Sequence, residues 1–332
     1  MIGIQRPAEM KLGESMSTAI GAPTPADVVL FVGQYHLGGH WLPKHCDSEV
    51  QIAPDLKIVP LGDVANRVLD ACETRGENKS REFRQYGSLY ALVRSNAPIS
   101  KHSRRIWDPD RRLATALQIS RVAKPTSIGY EYAARMFAEG GEKLQIFPAD
   151  IKGAGAHAFI LNPRTDGLRD KDVRLLIRLL SSFDPIKLPN RVKAALWMHE
   201  YLHWTAAIQM RWPLLVTGLE SFVHVDERSR GSGSRGGWKS TDQFVNRLFR
   251  LREFVPTLRW SRADLVAIYE LRSAFAHGRG AEINVMRGRP RRLYSTAERG
   301  LRLILQAAIL KPSVAEIFGS DVSIKTTLGF RT

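Results

Sequence analysis

The stretch Ser261-Arg-Ala-Asp-Leu-Val-Ala-Ile-Tyr-Glu-Leu-Arg-Ser-Ala-Phe-Ala-His-Gly278 carries the signals of one complete helix. Ser261 suits an N-cap, and Asp264 three residues later forms an Asp variant of the capping box. Gly278 stands where a left-handed residue ends a helix. Between these ends, apolar side chains recur in steps of three and four and predict one buried face: Leu265, Ile268, Leu271 and Phe275.

Two polar residues near the end of this helix, Arg272 and His277, need a separate explanation. They are five positions apart, which places them roughly 140° apart around an ideal helix. Their side chains therefore converge in only two ways. Either the last turn loosens at Gly278, or a second copy of the chain supplies the missing half.

The pattern Leu271-Arg-Ser-Ala-Phe-Ala-His-Gly278 resembles the end of the catalytic helix in the HEPN superfamily, and most of all in its Apea-like branch. The upstream stretch Arg211-Trp-Pro-Leu-Leu-Val-Thr-Gly-Leu-Glu-Ser-Phe-Val223 is similar to the apolar helix with an internal Leu-Glu in that branch. The resemblance covers approximately residues 170–318 and implies an all-α bundle that forms a homodimer.

The resemblance implies a metal-independent endoribonuclease that needs no cofactor and acts on RNA. Arg272 and His277 would be catalytic, and Ser273, Glu220 and Arg279 would bind substrate. The same branch suggests a role in bacterial defence against phage or a toxin-like role. Active members often carry Asn, Asp or His after the arginine, whereas this chain has Ser273. A non-catalytic module that binds or senses RNA is therefore the second interpretation.

A third interpretation comes from His199-Glu200-Tyr-Leu-His203. In zinc peptidases this spacing puts two imidazoles one turn apart on one helical face, and the glutamate activates a metal-bound water. Glu220 is the candidate third ligand. The alternative is two histidines on an ordinary amphipathic helix of the bundle. In the same way, Glu220 has a structural alternative as the ion partner of Arg272.

Composition limits the function classes further. The chain has 332 residues with 44% hydrophobic content, and 49 Lys and Arg against 33 Asp and Glu give a net charge of +16. Such a field favours a polyanion, which can be RNA, DNA or an acidic membrane surface, and does not choose among them. Cys46 and Cys72 do not make a disulfide framework, which favours a reducing cytoplasm. No run has the length of a membrane span or a signal peptide, so no membrane association is expected.

The predicted fold class is α+β, with a mixed N-terminal domain followed by an all-α HEPN-like bundle. We divide the chain into a flexible lead-in (1–26), a mixed domain for sensing or partner recognition (27–167) and the bundle (168–332). The Arg-, Gly- and Ser-rich stretch at 228–240 reads as a flexible insertion in that bundle.

Hydrophobic periodicity and turn residues predict the individual elements. Strands are expected at 27–32, 50–52, 56–59, 143–147 and 156–161. Helices are expected at 63–74, 111–122, 170–183, 191–208, 244–251 and 292–310, besides the helix after Ser261. Thr241 is the expected cap of 244–251, and Pro213 is expected in the first turn of the helix that ends near Val223.

Overall fold

A computed structural model gives the arrangement of most of the chain. It describes residues 26–34, 41–43, 46, 48–62, 66, 88–97, 111–126, 128–137, 144–152, 167–205, 208–225, 240–280, 282–284 and 287–329. Four predicted segments lie largely outside the described residues: the lead-in at 1–26, the helix at 63–74, the strand at 156–161 and the insertion at 228–240. Residues 26 and 240 are described, and they belong to a strand and a helix rather than to the lead-in and the insertion.

The N-terminal part contains a six-stranded antiparallel sheet in the order β2-β3-β4-β1-β5-β6. Four of these strands confirm the predictions at 27–32, 50–52, 56–59 and 143–147. β1 lies at the centre, where Val32 is fully buried and pairs with Tyr90 of β4. The strands are β1 Ala26–Gln34, β2 Val50–Ala53, β3 Leu56–Pro60, β4 Ser88–Ala97, β5 Ile128–Phe137 and β6 Leu144–Lys152.

β5 lies where the sequence patterns predict no strand. Its central Ala133 and Ala134, and the neighbouring Arg135, are helix formers by local propensity. Pairing with β1 on one side and β6 on the other overrides that propensity. β6 runs further than predicted and includes Pro148, which its position at the end of the strand order allows.

Nine α-helices are described, and one lies in the N-terminal part of the chain. The fold class is therefore α+β, as predicted. Within the described residues, none of the helices combines the length and apolar character needed to cross a membrane. The helices are α1 Arg111–Ala123, α2 Asp170–Ser182, α3 Asn190–Trp204, α4 Ile208–Val223, α5 Ser240–Arg250, α6 Arg262–Ala276, α7 Gly288–Leu310, α8 Pro312–Ile317 and α9 Asp321–Leu328.

Several predicted helix ends were wrong. The helix expected at 191–208 ends at Trp204, because Thr205 is extended, and α4 begins separately at Ile208. Pro213 is consequently the sixth residue of α4 and not part of its first turn, so α4 lacks one internal hydrogen bond there. α5 already begins at Ser240, so Thr241 lies inside the helix and is not its cap. The short helices α8 and α9 were not predicted.

The sheet and the helices share one hydrophobic core. α1 belongs to the N-terminal part of the chain, yet it packs against α2, α3 and α7. Two side chains of α7 bind the carbonyl end of α1. The Gln306 amide donates to the Val122 carbonyl at 2.6 Å, and Arg302 donates to the Ala123 carbonyl at 3.4 Å. These bonds satisfy carbonyls that a helix end leaves without internal partners.

Candidate functional site

The two ends of α6 are built as its sequence predicts. The Ser261 hydroxyl accepts a hydrogen bond from the Asp264 amide at 3.1 Å, and the Asp264 carboxylate accepts one from the Ser261 amide at 2.9 Å. This confirms the capping box. His277 is the C-cap, and Gly278 follows with φ of +73° in the left-handed region.

The predicted apolar face of α6 is also confirmed. Leu265 and Ile268 are fully buried, and Phe275 packs against the core from a partly exposed position. Trp212 of α4 lies against this face, with its ring 6.0 Å from that of Phe275. Its indole N–H donates to the Ile268 carbonyl at 3.2 Å. The position and rotation of α6 are therefore set by packing against α4.

The Arg272 side chain lies beside a carboxylate of α4. One terminal nitrogen of its guanidinium lies 3.5 Å from an oxygen of Glu220, and the two side chains are 31% and 18% exposed. This confirms the ion pair that was one of the three interpretations of Glu220. The guanidinium carbon lies 5.8 Å from the Tyr269 ring centre. A partly exposed guanidinium is thus held at the helix surface by a more deeply buried acid.

Burial and neighbouring groups shift the pKa of Glu220 in opposite directions. Burial raises the pKa of the Glu220 carboxyl above its ordinary value, and the Arg272 guanidinium, His224 and the Tyr269 hydroxyl act against that rise. Burial raises the pKa of Tyr269 as well, and the neighbouring Glu220 charge adds to it. The cost of burying the Glu220 carboxylate therefore exceeds the stabilisation that its three neighbours supply.

His277 lies at the end of the same helix and is exposed. Its amide donates to the Ser273 carbonyl at 3.1 Å, so the last turn stays helical up to the histidine and does not loosen. In the described part of the chain, no hydrogen bond joins Arg272 to His277. Within a single copy, the last turn of α6 therefore does not loosen to bring Arg272 and His277 together.

The other candidate substrate-binding residues lie around the same end of α6. Ser273 is half-buried, and its carbonyl belongs to the helix end just described. Arg279 follows Gly278 and is exposed. The structure therefore places Ser273, His277 and Arg279 at one helix terminus and joins Glu220 to Arg272 on another side of the helix.

The zinc-type motif on α3 lies in the interior of the bundle. His199 and His203 are 0% and 2% exposed, and their ring centres are 5.2 Å apart. The His199 Nε2 atom lies 3.5 Å from a carboxylate oxygen of Glu298 on α7. Glu220, the proposed third ligand, pairs with Arg272 instead. Among the residues that the structure describes, no group of three or more His, Cys, Asp or Glu side chains is arranged to hold a metal ion.

Glu200, the acid of that motif, has structural partners. Its carboxylate oxygen accepts hydrogen bonds from the buried Arg121 of α1 at 2.7 Å and from the Trp204 indole at 2.8 Å. A water-activating glutamate needs a free carboxylate facing the metal ligands. Here the carboxylate neutralises a buried guanidinium, which accounts for its presence without zinc chemistry.

Sequence reasoning missed the buried charges that surround the motif. Arg121 and Glu298 are 0% and 1% exposed, and Arg211 at the start of α4 is 1% exposed. The Glu298 carboxylate accepts a hydrogen bond from Arg302 one turn later at 3.1 Å. The spacing of Glu298 and Arg302 is a signal that sequence reasoning could have used. Arg121 carries no comparable local signal.

Comparisons with protein-family models, curated proteins and solved structures gave no match for this chain. The side chains of α6 and their surroundings are therefore the basis for assigning a function. The strongest feature is Arg272, whose guanidinium is held by Glu220 at the surface of a helix that ends in an exposed histidine.

Proposed function

We propose that this protein is a metal-independent endoribonuclease of HEPN type. The observation that carries the proposal is the ion pair of Arg272 with the half-buried Glu220, on a helix that ends in the exposed His277. A fixed guanidinium and an accessible imidazole are the two groups that the cleavage of RNA by its own 2′-hydroxyl requires. The net charge of +16 favours the polyanionic substrate.

In the proposed reaction the RNA 2′-oxygen attacks the adjacent phosphorus, and the bond from phosphorus to the 5′-oxygen breaks. His277 takes the proton of the 2′-hydroxyl, since an imidazole can accept and return a proton near neutral pH. Arg272 donates hydrogen bonds to the phosphoryl oxygens, where negative charge grows in the transition state. The products are a 2′,3′-cyclic phosphate and a 5′-hydroxyl, and the proton that His277 took returns to the leaving 5′-oxygen through water.

The active form in this proposal is a homodimer that pairs two α6 helices. The exposed residues of α6 and its C-cap comprise three short side chains and three longer ones: Ala263, Val266 and Ala276, and Arg262, Glu270 and His277. Short side chains allow two helices to approach closely. Across a two-fold axis, the histidine of one copy would lie beside the arginine of the other, which removes the angular separation found within one copy.

The biological setting in this proposal follows from the HEPN resemblance. An RNA-cleaving bundle joined to a second part with its own sheet suits a bacterial defence or toxin-like protein of the cytoplasm, in which the N-terminal part senses a trigger or partner. A second candidate is an RNA-binding module without cleavage. The ion pair favours this second candidate, because Glu220 competes with phosphate for the Arg272 guanidinium and so weakens its role in cleavage.

The test is cleavage of a labelled single-stranded RNA in excess chelator, by wild type and by His277→Ala and Arg272→Ala. Loss of a general base or of charge stabilisation lowers such rates by about 10²- to 10⁴-fold. Arg174→Ala is the control, because Arg174 is exposed on α2. Products should carry 2′,3′-cyclic phosphate ends. Cleavage that persists in His277→Ala, or that the chelator abolishes, would refute the mechanism, and binding without cleavage would favour the module.

Mixing the two inactive variants tests the dimer. In a two-fold dimer with sites shared between copies, each mixed dimer has one intact site. Random pairing should therefore restore about a quarter of wild-type cleavage. A site contained in one copy predicts no restoration at all.

A further inference from the structure

An open groove of about 610 Å³ lies at the opposite end of α6 from His277. Three exposed arginines line it, one each from the turn after α5, the loop before α6 and the first position of α6: Arg252, Arg259 and Arg262. The buried Trp260 forms another part of its wall.

Aromatic contacts hold two of these guanidiniums in place. The Arg252 and Arg262 guanidinium carbons lie 4.8 and 4.7 Å from the centre of the Phe249 ring. Arg262 also donates a hydrogen bond to the Asn246 side chain. An exposed arginine normally loses side-chain freedom when it binds a ligand, and these contacts reduce that cost. The groove is thus a prearranged cationic surface.

The one acid among the lining residues, Asp264, carries a single negative charge against the three arginines. The Asp264 carboxylate is engaged by the amide and hydroxyl of Ser261 in the helix cap. The hydrogen bond from the Ser261 amide lowers the pKa of Asp264, and the charges of Arg292 and Arg289 from the start of α7 lower it further. The groove is thus lined by three arginines and one acid, which leaves it with a net positive charge.

We propose that this arginine groove, formed by Arg252, Arg259 and Arg262, binds the phosphodiester backbone of single-stranded RNA. Guanidinium forks fit phosphate oxygens in pairs, and a positively charged groove that follows the backbone is typical of single-strand binding. Arg262 and Arg272 are ten residues apart on α6, a rise of about 15 Å. The inference rests on the proposed function for its substrate: a strand held in the groove would run along α6 towards Arg272 and His277.

The test measures binding in a form that cleavage cannot affect. A fluorescein-labelled, 2′-O-methylated single strand has no free 2′-hydroxyl, so its anisotropy reports affinity alone. The groove variant is Arg252→Gln/Arg259→Gln/Arg262→Gln. The control Lys171→Gln/Arg174→Gln/Arg178→Gln removes the same charge from exposed positions of α2, which packs against α1, α7 and β2. The single variant Arg259→Glu, at an exposed position, provides a second test in case the triple variant misfolds.

We expect the groove variant to bind at least about tenfold more weakly than the control variant at low salt. The slope of its log affinity against log salt concentration should become less negative by about 2, because each of three lost phosphate contacts contributes about 0.7 to that slope. Arg259→Glu should weaken binding in the same direction. Equal affinities of the groove and control variants, no binding by wild type, or tighter binding of duplex DNA than of the single strand would each overturn the proposal.

The outcome is separable from that of the proposed function. If His277→Ala still cleaves RNA while the groove variant loses binding, the ribonuclease mechanism fails and the groove stands. If cleavage requires His277 but the groove variant binds like the control, the groove proposal fails and the mechanism stands.

Discussion

Removing the guanidinium of Arg121 should destabilise the folded chain by about 3 to 5 kcal/mol, the usual cost of breaking a buried ion pair by deleting one partner. Arg121 is fully buried and donates to Glu200 at 2.7 Å and to the Ile128 carbonyl at 2.8 Å. Its guanidinium carbon lies 4.0 Å from the centre of the Trp204 ring. The substitution Arg121→Ala removes all three interactions.

The magnitude follows from what is left behind. Glu200 keeps a carboxylate that is only 16% exposed, so its desolvation is no longer compensated. The Ile128 carbonyl loses a charge-assisted hydrogen bond, worth about 1.5 to 3 kcal/mol. The indole of Trp204 still donates to Glu200 at 2.8 Å, which keeps the expected total nearer to about 3 kcal/mol.

Urea unfolding followed by circular dichroism measures this cost, and Arg112→Ala is the matched control on the same helix. Arg112 pairs with Asp55 at 3.1 Å, but both side chains are about one-third exposed, so its loss should cost at most about 1 kcal/mol. The double variant Arg121→Met/Glu200→Leu should recover most of the loss, since no charge stays buried. Equal costs for Arg121→Ala and Arg112→Ala would refute the reasoning.

Two further predictions concern α4 and α7. Burial raises the pKa of Glu220 above its ordinary value of 4.5, so its contribution to stability is present below that value and is lost as pH rises through the folded pKa. The stability advantage of wild type over Glu220→Gln in urea titrations should therefore shrink as pH rises from 4.5, and an advantage that grows would contradict this. A Cβ on Gly300 would lie 1.9 Å from the Trp260 ring, so Gly300→Ala should lower stability by about 1 to 3 kcal/mol despite the better helix propensity of alanine. Gly218→Ala should cost less when both variants are compared by urea unfolding, because its nearest neighbour is a Leu301 methyl group at 3.0 Å. The reverse order would contradict the packing argument.

Some errors of prediction have a common physical cause. The helix expected at 191–208 breaks at Thr205, although the apolar pattern continues past it, because the chain turns there to pack α4 against α3. β5 forms from residues with helix propensity because two neighbouring strands supply its hydrogen bonds. In both places a long-range contact outweighs a local preference of a fraction of a kcal/mol per residue.

The amino-acid sequence alone determined the helix that carries the candidate site. The cap of Ser261 with Asp264, the apolar face and the left-handed Gly278 all depend on residues within a few positions of each other, and all are found. Such features are set by local hydrogen bonds and by the helical period, which a sequence displays directly.

Tertiary structure alone decided which charges meet. It placed His199 near Glu298, paired Glu200 with Arg121, and selected Arg272 among the roles that the sequence had suggested for Glu220. It also brought Arg252 from the turn after α5 and Arg262 from α6 over the ring of Phe249. These partners come from separate elements, and a charge pattern does not specify which of many opposite charges is nearest. The packing of the apolar faces fixes those distances, and the polar contacts follow from it.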